Sequence, residues 1–297
     1  MRILVTGASG LLGNRLVELA VQKGHDVISG YKHNVPLHGK PTAFDLTEST
    51  EVRRVFLEVQ PDVVVNTAAM TDVDKCELDA GAAFAANSKA VSNIVSAAKE
   101  TESFVVQVST DYVFDGERGG YSEQDETHPI NKYGESKLEG EKTIMKGLDK
   151  EKWSIARSSV VYGWGRASRP NAATFVYEKL SRGESIPIAR DMFSSPTLNT
   201  SLSAMLIEIA ERKLPGIIHA AGATRLNRFD FAVGLAKTFE LDVTLIKAVR
   251  AKDLQWKARR PTDSSLNVEK AQELLRSAPL NIESAYEALH REHIHTA

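Results

Sequence analysis

Ile3-Leu4-Val5-Thr6-Gly7-Ala8-Ser9-Gly10-Leu11-Leu12-Gly13 is the stretch that decides the fold. Ile3–Thr6 reads as a buried strand, and Leu11–Lys23 places apolar residues at helical spacing. Glycines between a strand and a helix permit a tight turn, close approach of backbone to a pyrophosphate, and close helix–strand packing. The helix N-terminus adds free N–H groups and partial positive charge. The spacing is Gly-x-x-Gly-x-x-Gly rather than Gly-x-Gly-x-x-Gly, so the strand–loop–helix context carries the reading. Gly7, Ser9, Gly10, Leu11, Leu12 and Gly13 are therefore candidate nucleotide-binding residues.

Outward from this loop the chain alternates. Asp26–Tyr31, Asp62–Asn66, Ser103–Val108 and Trp153–Arg157 read as strands. Ala80–Lys99 reads as one long alanine-rich helix and Asn131–Lys146 as another. Apolar strands alternating with helices predict right-handed βαβ units around a covered parallel sheet. Further on, Gly163–Ala172 reads as a loop, Gly216–Ala221 as a strand and Phe229–Phe239 as a helix. The expectation is an α/β chain with a Rossmann-type doubly wound parallel sheet and a smaller C-terminal substrate-binding lobe. Residues 1–157 would form the dinucleotide-binding domain. Residues 158–297 would be mainly the substrate lobe, with segments returning to the first domain and the ligand cleft between the two.

Composition sets the bounds. The 297 residues are 42% hydrophobic and 26% charged, with a formal net charge of −2. No overall basic field recruits nucleic acid or an anionic membrane. No window approaches the 18 or so uninterrupted apolar residues of a membrane span, and the first residues are too short for a signal-peptide core. Cys76 is the one cysteine, so no intrachain disulfide can form. A cytoplasmic setting is expected on that ground. Asp74 and Glu77 beside Cys76 disfavour a thiolate nucleophile.

Tyr133 and Lys137 lie four residues apart in Asn131-Lys132-Tyr133-Gly134-Glu135-Ser136-Lys137, on one face of a helix. A tyrosine is a poor acid–base group at pH 7 until a nearby cation favours its phenolate. Lys137 supplies such a cation. Such a pair alone is most often a solvated helix face. Its context is Val108-Ser109-Thr110-Asp111-Tyr112-Val113-Phe114-Asp115-Gly116, at the carboxyl end of a strand, where open parallel sheets bind ligands. Thr110 offers a hydroxyl to a substrate carbonyl there.

The glycine loop, the Ser-Thr strand end and Tyr-x-x-x-Lys, in that order, resemble the extended short-chain dehydrogenase/reductase superfamily. Three further blocks narrow the resemblance to the dTDP-4-dehydrorhamnose reductase family: Asn66–Glu77, Ser109–Gly116, and Pro129–Gly134 with Ser136–Glu141. It continues through Arg157-Ser158, Val161-Tyr162-Gly163, Ser195-Pro196-Thr197, Arg260-Pro261 and Ser265-Leu266. The resemblance implies NAD(P)H-dependent reduction of the C4 keto group of a dTDP-linked 6-deoxy-4-ketohexose.

By position, it implies Tyr133 as proton donor and Lys137 as the group that lowers its pKa and holds the nicotinamide ribose. Thr110 would orient the carbonyl. Asp45 and Leu46 would lie against the adenine. Ala68, Ala69, Met70, Asn87 and Ser109 would line the cofactor groove. Thr71, Asp72, Asp111, Val160 and Arg260 would lie on the substrate side, Arg260 either bracing the lobe or meeting the diphosphate.

The departures also matter. Val160 stands where bacterial members often carry a tryptophan that packs on the sugar, and Trp164 is a candidate substitute. Met192 replaces a polar residue. Arg15 occupies the position of a glutamate used in a metal site between subunits, which argues against a metal here and leaves a simple homodimer open. The second strand ends Ser29-Gly30-Tyr31-Lys32-His33-Asn34 without an acid to bind a ribose 2′-hydroxyl, so NADP(H) is favoured over NAD(H), with Lys32 facing the 2′-phosphate. Two other functions share these motifs. One is a nucleotide-sugar epimerase or dehydratase, although Tyr112 follows Asp111 where dehydratases place a second acid. The other is a non-catalytic NADP-binding regulatory subunit like the methionine adenosyltransferase β subunit.

Overall fold

A computed structural model describes residues 1–165 and 169–296; of the last two of these only the backbone is considered. The first half runs β1 (Arg2–Thr6), α1 (Leu11–Gln22), β2 (Asp26–Tyr31), β3 (Lys40–Ala43), α2 (Ser49–Val59), β4 (Val63–Asn66), α3 (Val73–Leu78), α4 (Ala80–Phe84), α5 (Ala90–Thr101), β5 (Phe104–Thr110), α6 (Lys132–Gly147) and β6 (Trp153–Ser158). The second half runs β7 (Val161–Tyr162), α7 (Ala172–Ser181), β8 (Ile186–Ala189), β9 (Phe193–Ser194), β10 (Thr197–Leu198), α8 (Asn199–Arg212), β11 (Gly216–His219), β12 (Leu226–Asn227), α9 (Arg228–Thr238), β13 (Ile246–Val249), α10 (Glu269–Leu274) and α11 (Ile282–Thr296).

Seven strands form one parallel sheet in the order β11-β6-β5-β4-β1-β2-β3. The winding reverses between β1 and β4, so a crevice opens at their carboxyl ends. Both faces of the sheet are covered. Ile3, Val5, Val63, Val65 and Val106 pack with Leu16, Val17, Leu202, Leu206 and Ile209 of α1 and α8 on one side. Leu4, Val64, Val105 and Ile155 pack with Val52, Phe56, Val91, Ile94 and Ile144 of α2, α5 and α6 on the other. Strands buried on both faces explain the unbroken valine runs of the sequence. Residues 199–219 return to this sheet as α8 and β11.

A second core, with Tyr162, Val176, Leu180, Phe231, Leu235, Tyr286 and Leu289, holds the C-terminal lobe together. Trp164 belongs to it. Its indole N–H donates to the Leu289 carbonyl at 2.8 Å, and its ring packs edge-on against Tyr177 and Phe239. It therefore does not take the place of a sugar-packing tryptophan. Met192 is buried too.

Three sequence expectations need correction. The Asp62–Asn66 segment is the fourth strand, not the third, because Lys40–Ala43 adds a short edge strand preceded by no apolar run. Pro41 is tolerated there because the edge needs no further N–H donor. Helix α2 also lies between, with Val52, Val55, Phe56 and Val59 on its inner face. The alanine-rich stretch is not one helix. A π-helical turn, Ala85–Lys89, separates α4 from α5. Finally, Ala172 of the expected Gly163–Ala172 loop already begins α7, and its residues 166–168 lie outside the described residues.

Candidate active site

The turn after β1 is shaped for close approach. Gly7 has φ +71°, and a Cβ there would lie 2.6 Å from the Ala68 backbone nitrogen. A Cβ on Gly13 would lie 2.2 Å from the Gly7 carbonyl oxygen. Any side chain at either position would push α1 away from the strand ends. Gly10 caps α1 without a side-chain acceptor, so the first N–H groups of the helix remain available to a ligand. This cradle fits a dinucleotide pyrophosphate.

Two cavities meet at this turn, sharing Gly7, Gly10, Thr67 and Ala69. The outer one, about 760 Å³, is lined by Ser9, Lys32, His33, Asp45, Leu46, Ala68 and Met70. The inner one, about 540 Å³, is lined by Leu11, Leu12, Gly13, Thr71, Ser109, Thr110, Asp111, Tyr133, Lys137 and Val160. Nearly all the residues expected from sequence thus line one continuous groove.

Lys32 forms an ion pair of 2.7 Å with Asp45. Burial pushes the Asp45 carboxyl up, but Lys32 and the two Thr47 hydrogen bonds outweigh it and hold the group at about 2.

Asn87 lies in the π turn, a widened turn that often marks functional sites. Its amide accepts from the Met70 N–H at 2.9 Å and donates to the Met70 carbonyl at 3.1 Å and to Ser136 Oγ at 2.9 Å. Asn87 thus sits behind the groove wall and fixes the Met70 backbone. Gly140 lets α6 approach: a Cβ there would lie 2.4 Å from the Asn87 carbonyl oxygen.

Asn131 caps α6 by accepting from the Gly134 N–H at 2.9 Å, and Tyr133 and Lys137 face the inner cavity. Burial pushes the Tyr133 phenol well above its ordinary value, opposed by a hydrogen bond with Thr110. Lys137 lies one helical turn away on the same face, lining the same cavity. Lys137 is only 5% exposed and donates to the Val108 carbonyl at 2.7 Å. Burial lowers its pKa to about 8, against the pull of Glu141. A neutral phenol beside a poised ammonium is a proton donor.

Asp111 faces the protein more than the groove. Its carboxylate accepts from Ser264 Oγ at 2.5 Å, Ser159 Oγ at 2.7 Å and Thr110 Oγ1 at 3.0 Å. Burial raises its pKa and these three hydroxyls oppose the rise. A triple acceptor is best read as ionised and as the group that orients Thr110. Val160 has φ +38°, a strained conformation for a β-branched residue, held by a hydrogen bond from Thr197 N–H to its carbonyl at 3.2 Å.

Arg260 does not line the inner cavity. It donates to Asp74 at 2.9 Å, and Asp74 also accepts from the N–H groups of Lys257 and Ala258. Asp72 caps α3 and pairs with Arg169 at 3.1 Å. Arg169, whose guanidinium also reaches the Thr71 carbonyl at 2.9 Å, lines the inner cavity together with Asn171. The sequence reading passed over both, since a loop arginine and a helix-capping asparagine carry no motif. Cys76 is buried, which raises its thiol to about 11, with Asp72 adding to the rise. The thiolate needed of a nucleophile is therefore disfavoured.

Arg15 donates to Thr200, Glu18 and Glu292. Among the described residues no group of three potential metal-ligating side chains is found. No helix among them is long and apolar enough to cross a membrane.

Comparison with known proteins agrees with this geometry. The family model described as RmlD substrate binding domain matches residues 1–293. A dTDP-4-dehydrorhamnose reductase from Aggregatibacter actinomycetemcomitans is 31% identical over 286 residues, 92% of each chain. The methionine adenosyltransferase 2 subunit beta of Danio rerio is 30% identical over 273 residues, 89% of this chain and 82% of that one. A crystal structure of dTDP-4-dehydrorhamnose reductase from Bacillus anthracis in complex with NADP superposes with a TM-score of 0.87 at 27% identity, covering 98% of this chain and 99% of that one.

Proposed function

This chain belongs to the RmlD substrate binding domain family, and we propose that it is an NAD(P)H-dependent reductase of the C4 keto group of a dTDP-linked 6-deoxy-4-ketohexose, acting in dTDP-rhamnose biosynthesis. The observation that carries this reading is the convergence of Thr110, Tyr133 and Lys137 on the cavity that also holds Gly7, Gly10 and Gly13. The bound nicotinamide would supply hydride to the carbonyl carbon. Tyr133 gives its phenolic proton to the developing alkoxide, the usual task of a positioned general acid. Thr110 would turn its hydroxyl proton from Asp111 to the same oxygen and hold it beside Tyr133. Lys137 favours the phenolate that remains and binds the cofactor ribose.

The pyrophosphate is assigned to the Gly7–Gly13 turn, and the adenosine to the cavity of Lys32, Asp45 and Leu46. Residues 1–157 with the returning 199–219 segment make the cofactor domain, and most of the remaining chain makes the substrate lobe. NADP(H) is favoured over NAD(H) because the end of β2 carries no acid to repel a 2′-phosphate. Arg15, engaged by Thr200 and Glu292, leaves no reason to invoke a metal. A cytoplasmic location and a homodimer are part of the same reading, the latter tested by sedimentation.

The deciding experiment follows NADPH absorbance with dTDP-4-keto-6-deoxyhexose and identifies the sugar formed. Turnover to a dTDP-6-deoxyhexose supports the proposal. No turnover, with capture of a methionine adenosyltransferase, would replace it with the regulatory-subunit reading. An epimerised or dehydrated product would replace it with the other alternative.

A further inference from the structure

Beneath the groove lies an ion pair that the proposed reaction does not use. Glu141 is one turn beyond Lys137 on α6 and has no exposed surface. Arg157, on β6 and 3% exposed, binds it with two hydrogen bonds, Nε to Oε1 at 3.0 Å and Nη2 to Oε2 at 2.7 Å. Ser109, on β5, donates to the same Oε1 at 2.5 Å. Ser109 lies between Val108, whose carbonyl holds Lys137, and Thr110, which meets Tyr133. Glu141 therefore ties α6 to β5 and β6 at the level where the three reacting side chains meet. A scaffold alone would not need such a pair, because well-packed apolar residues often serve stability as well or better.

We infer that Glu141 is a positioning residue of the reductase, setting the register between Thr110 on β5 and Tyr133 and Lys137 on α6 through its bonds to Ser109 and Arg157. The inference rests on the proposed function and extends it to Glu141 and Arg157, which lie outside the groove that Ser109 lines. Glu141 has a second effect, through charge. The elements packed against α6 carry Arg157 on β6, Asp111 and Tyr112 after β5, Asp74, Lys75, Cys76 and Glu77 on α3, Lys89 in the π turn, and Lys99 and Glu100 on α5. Among the described residues, Glu141 is the one that favours the charged form of Lys137, which burial disfavours. An ammonium that holds the cofactor ribose would then depend on a carboxylate that never touches cofactor or substrate.

The test compares wild type, Ser109→Ala, Glu141→Gln and the charge-free pair Glu141→Gln/Arg157→Met. Each is measured for thermal unfolding, for NADPH affinity between pH 6 and 10 by fluorescence, and for kcat and KM. Glu141→Gln is expected to move the alkaline loss of NADPH affinity about one pH unit lower, as the loss of one close opposite charge does. The double variant also removes the uncompensated Arg157 charge, so part of that shift should be reversed. Ser109→Ala is expected to leave that midpoint in place and lower kcat about tenfold at nearly constant KM, because displacement of reacting groups is read in turnover.

Loss of melting temperature alone, with wild-type kcat and pH midpoint in every folded variant, overturns the inference and makes the pair structural. If Glu141→Gln does not fold, the double variant and Ser109→Ala decide by the same readouts. A wild type that binds NADPH but does not turn over the ketosugar would defeat the reductase reading, while the binding arm still decides the role of Glu141.

Discussion

The ammonium of Lys137 donates a hydrogen bond of 2.7 Å to the carbonyl oxygen of Val108, at the end of the strand that leads into Thr110. This bond anchors a buried cation one helical turn from Tyr133, and it separates the duties of the two residues. Tyr133→Phe removes only the proton donor. It is expected to keep the fold and the NADPH affinity and to lose about 10²–10⁴ in turnover. Lys137→Met removes the anchor and the ribose contact, and should damage both turnover and cofactor affinity. Full activity in folded Tyr133→Phe would remove the assignment.

The Lys32–Asp45 ion pair makes cofactor choice a competition. Lys32 is the point charge available to a 2′-phosphate, and at 2.7 Å it is already engaged by Asp45. Lys32→Glu should raise the KM for NADPH roughly tenfold more than that for NADH, about 1.4 kcal/mol of discrimination. Asp45→Asn should act in the opposite sense by freeing Lys32. Steady-state kinetics with each cofactor decide it, and a wild type with clearly higher kcat/KM for NADH would defeat the preference.

The sequence announced the parts of this molecule that repeat a local rule. Valine-rich strands covered on both faces and the glycine turn were legible because one stretch of chain carries the whole signal. Helix α2 was passed over although Val52, Val55, Phe56 and Val59 carry a helical period, and the exposed edge strand Lys40–Ala43 has no periodicity to read. What could not be read was tertiary. Asn87 breaks an alanine-rich helix because its amide is recruited by Met70 and Ser136, far away in sequence. Asp111 turns inward because Ser159 and Ser264 arrive from distant segments. Trp164, an apparent sugar platform, is claimed by the core of the other lobe.

Arg260 illustrates the same lesson in testable form. Its hydrogen bond to Asp74 and its place near the Trp256 ring, 5.6 Å from the centroid, tie residues 256–260 to α3. Arg260→Ala is expected to cost about 1.5–3 kcal/mol of stability, the range for a hydrogen bond to a charged group. The substrate KM should change little. A large KM increase at unchanged melting temperature would instead assign Arg260 to the diphosphate.

His219 ends β11 fully buried, with Nδ1 donating to the Asn267 carbonyl at 3.1 Å and its backbone N–H donating to Glu123 at 2.9 Å. Nε2 has no hydrogen-bond partner. Burial lowers its pKa from 6.5 to about 4, so the folded protein keeps it neutral. Between those values the unfolded chain takes up a proton that the folded chain refuses. Stability should therefore fall as pH drops from 6.5 towards 4, and level off for this group below that. At about 1.4 kcal/mol per pKa unit the loss is on the order of 3 kcal/mol. Asp45 and Glu208, both held at about 2, lose their contribution as pH falls from their ordinary values of 3.8 and 4.5 towards 2, so they overlap the His219 window only at its acid end. His219→Gln should flatten the urea-unfolding free energy between pH 6.5 and 4 while leaving the steeper decline below pH 4 in place. An unchanged slope in that window would show that His219 is not the group that titrates.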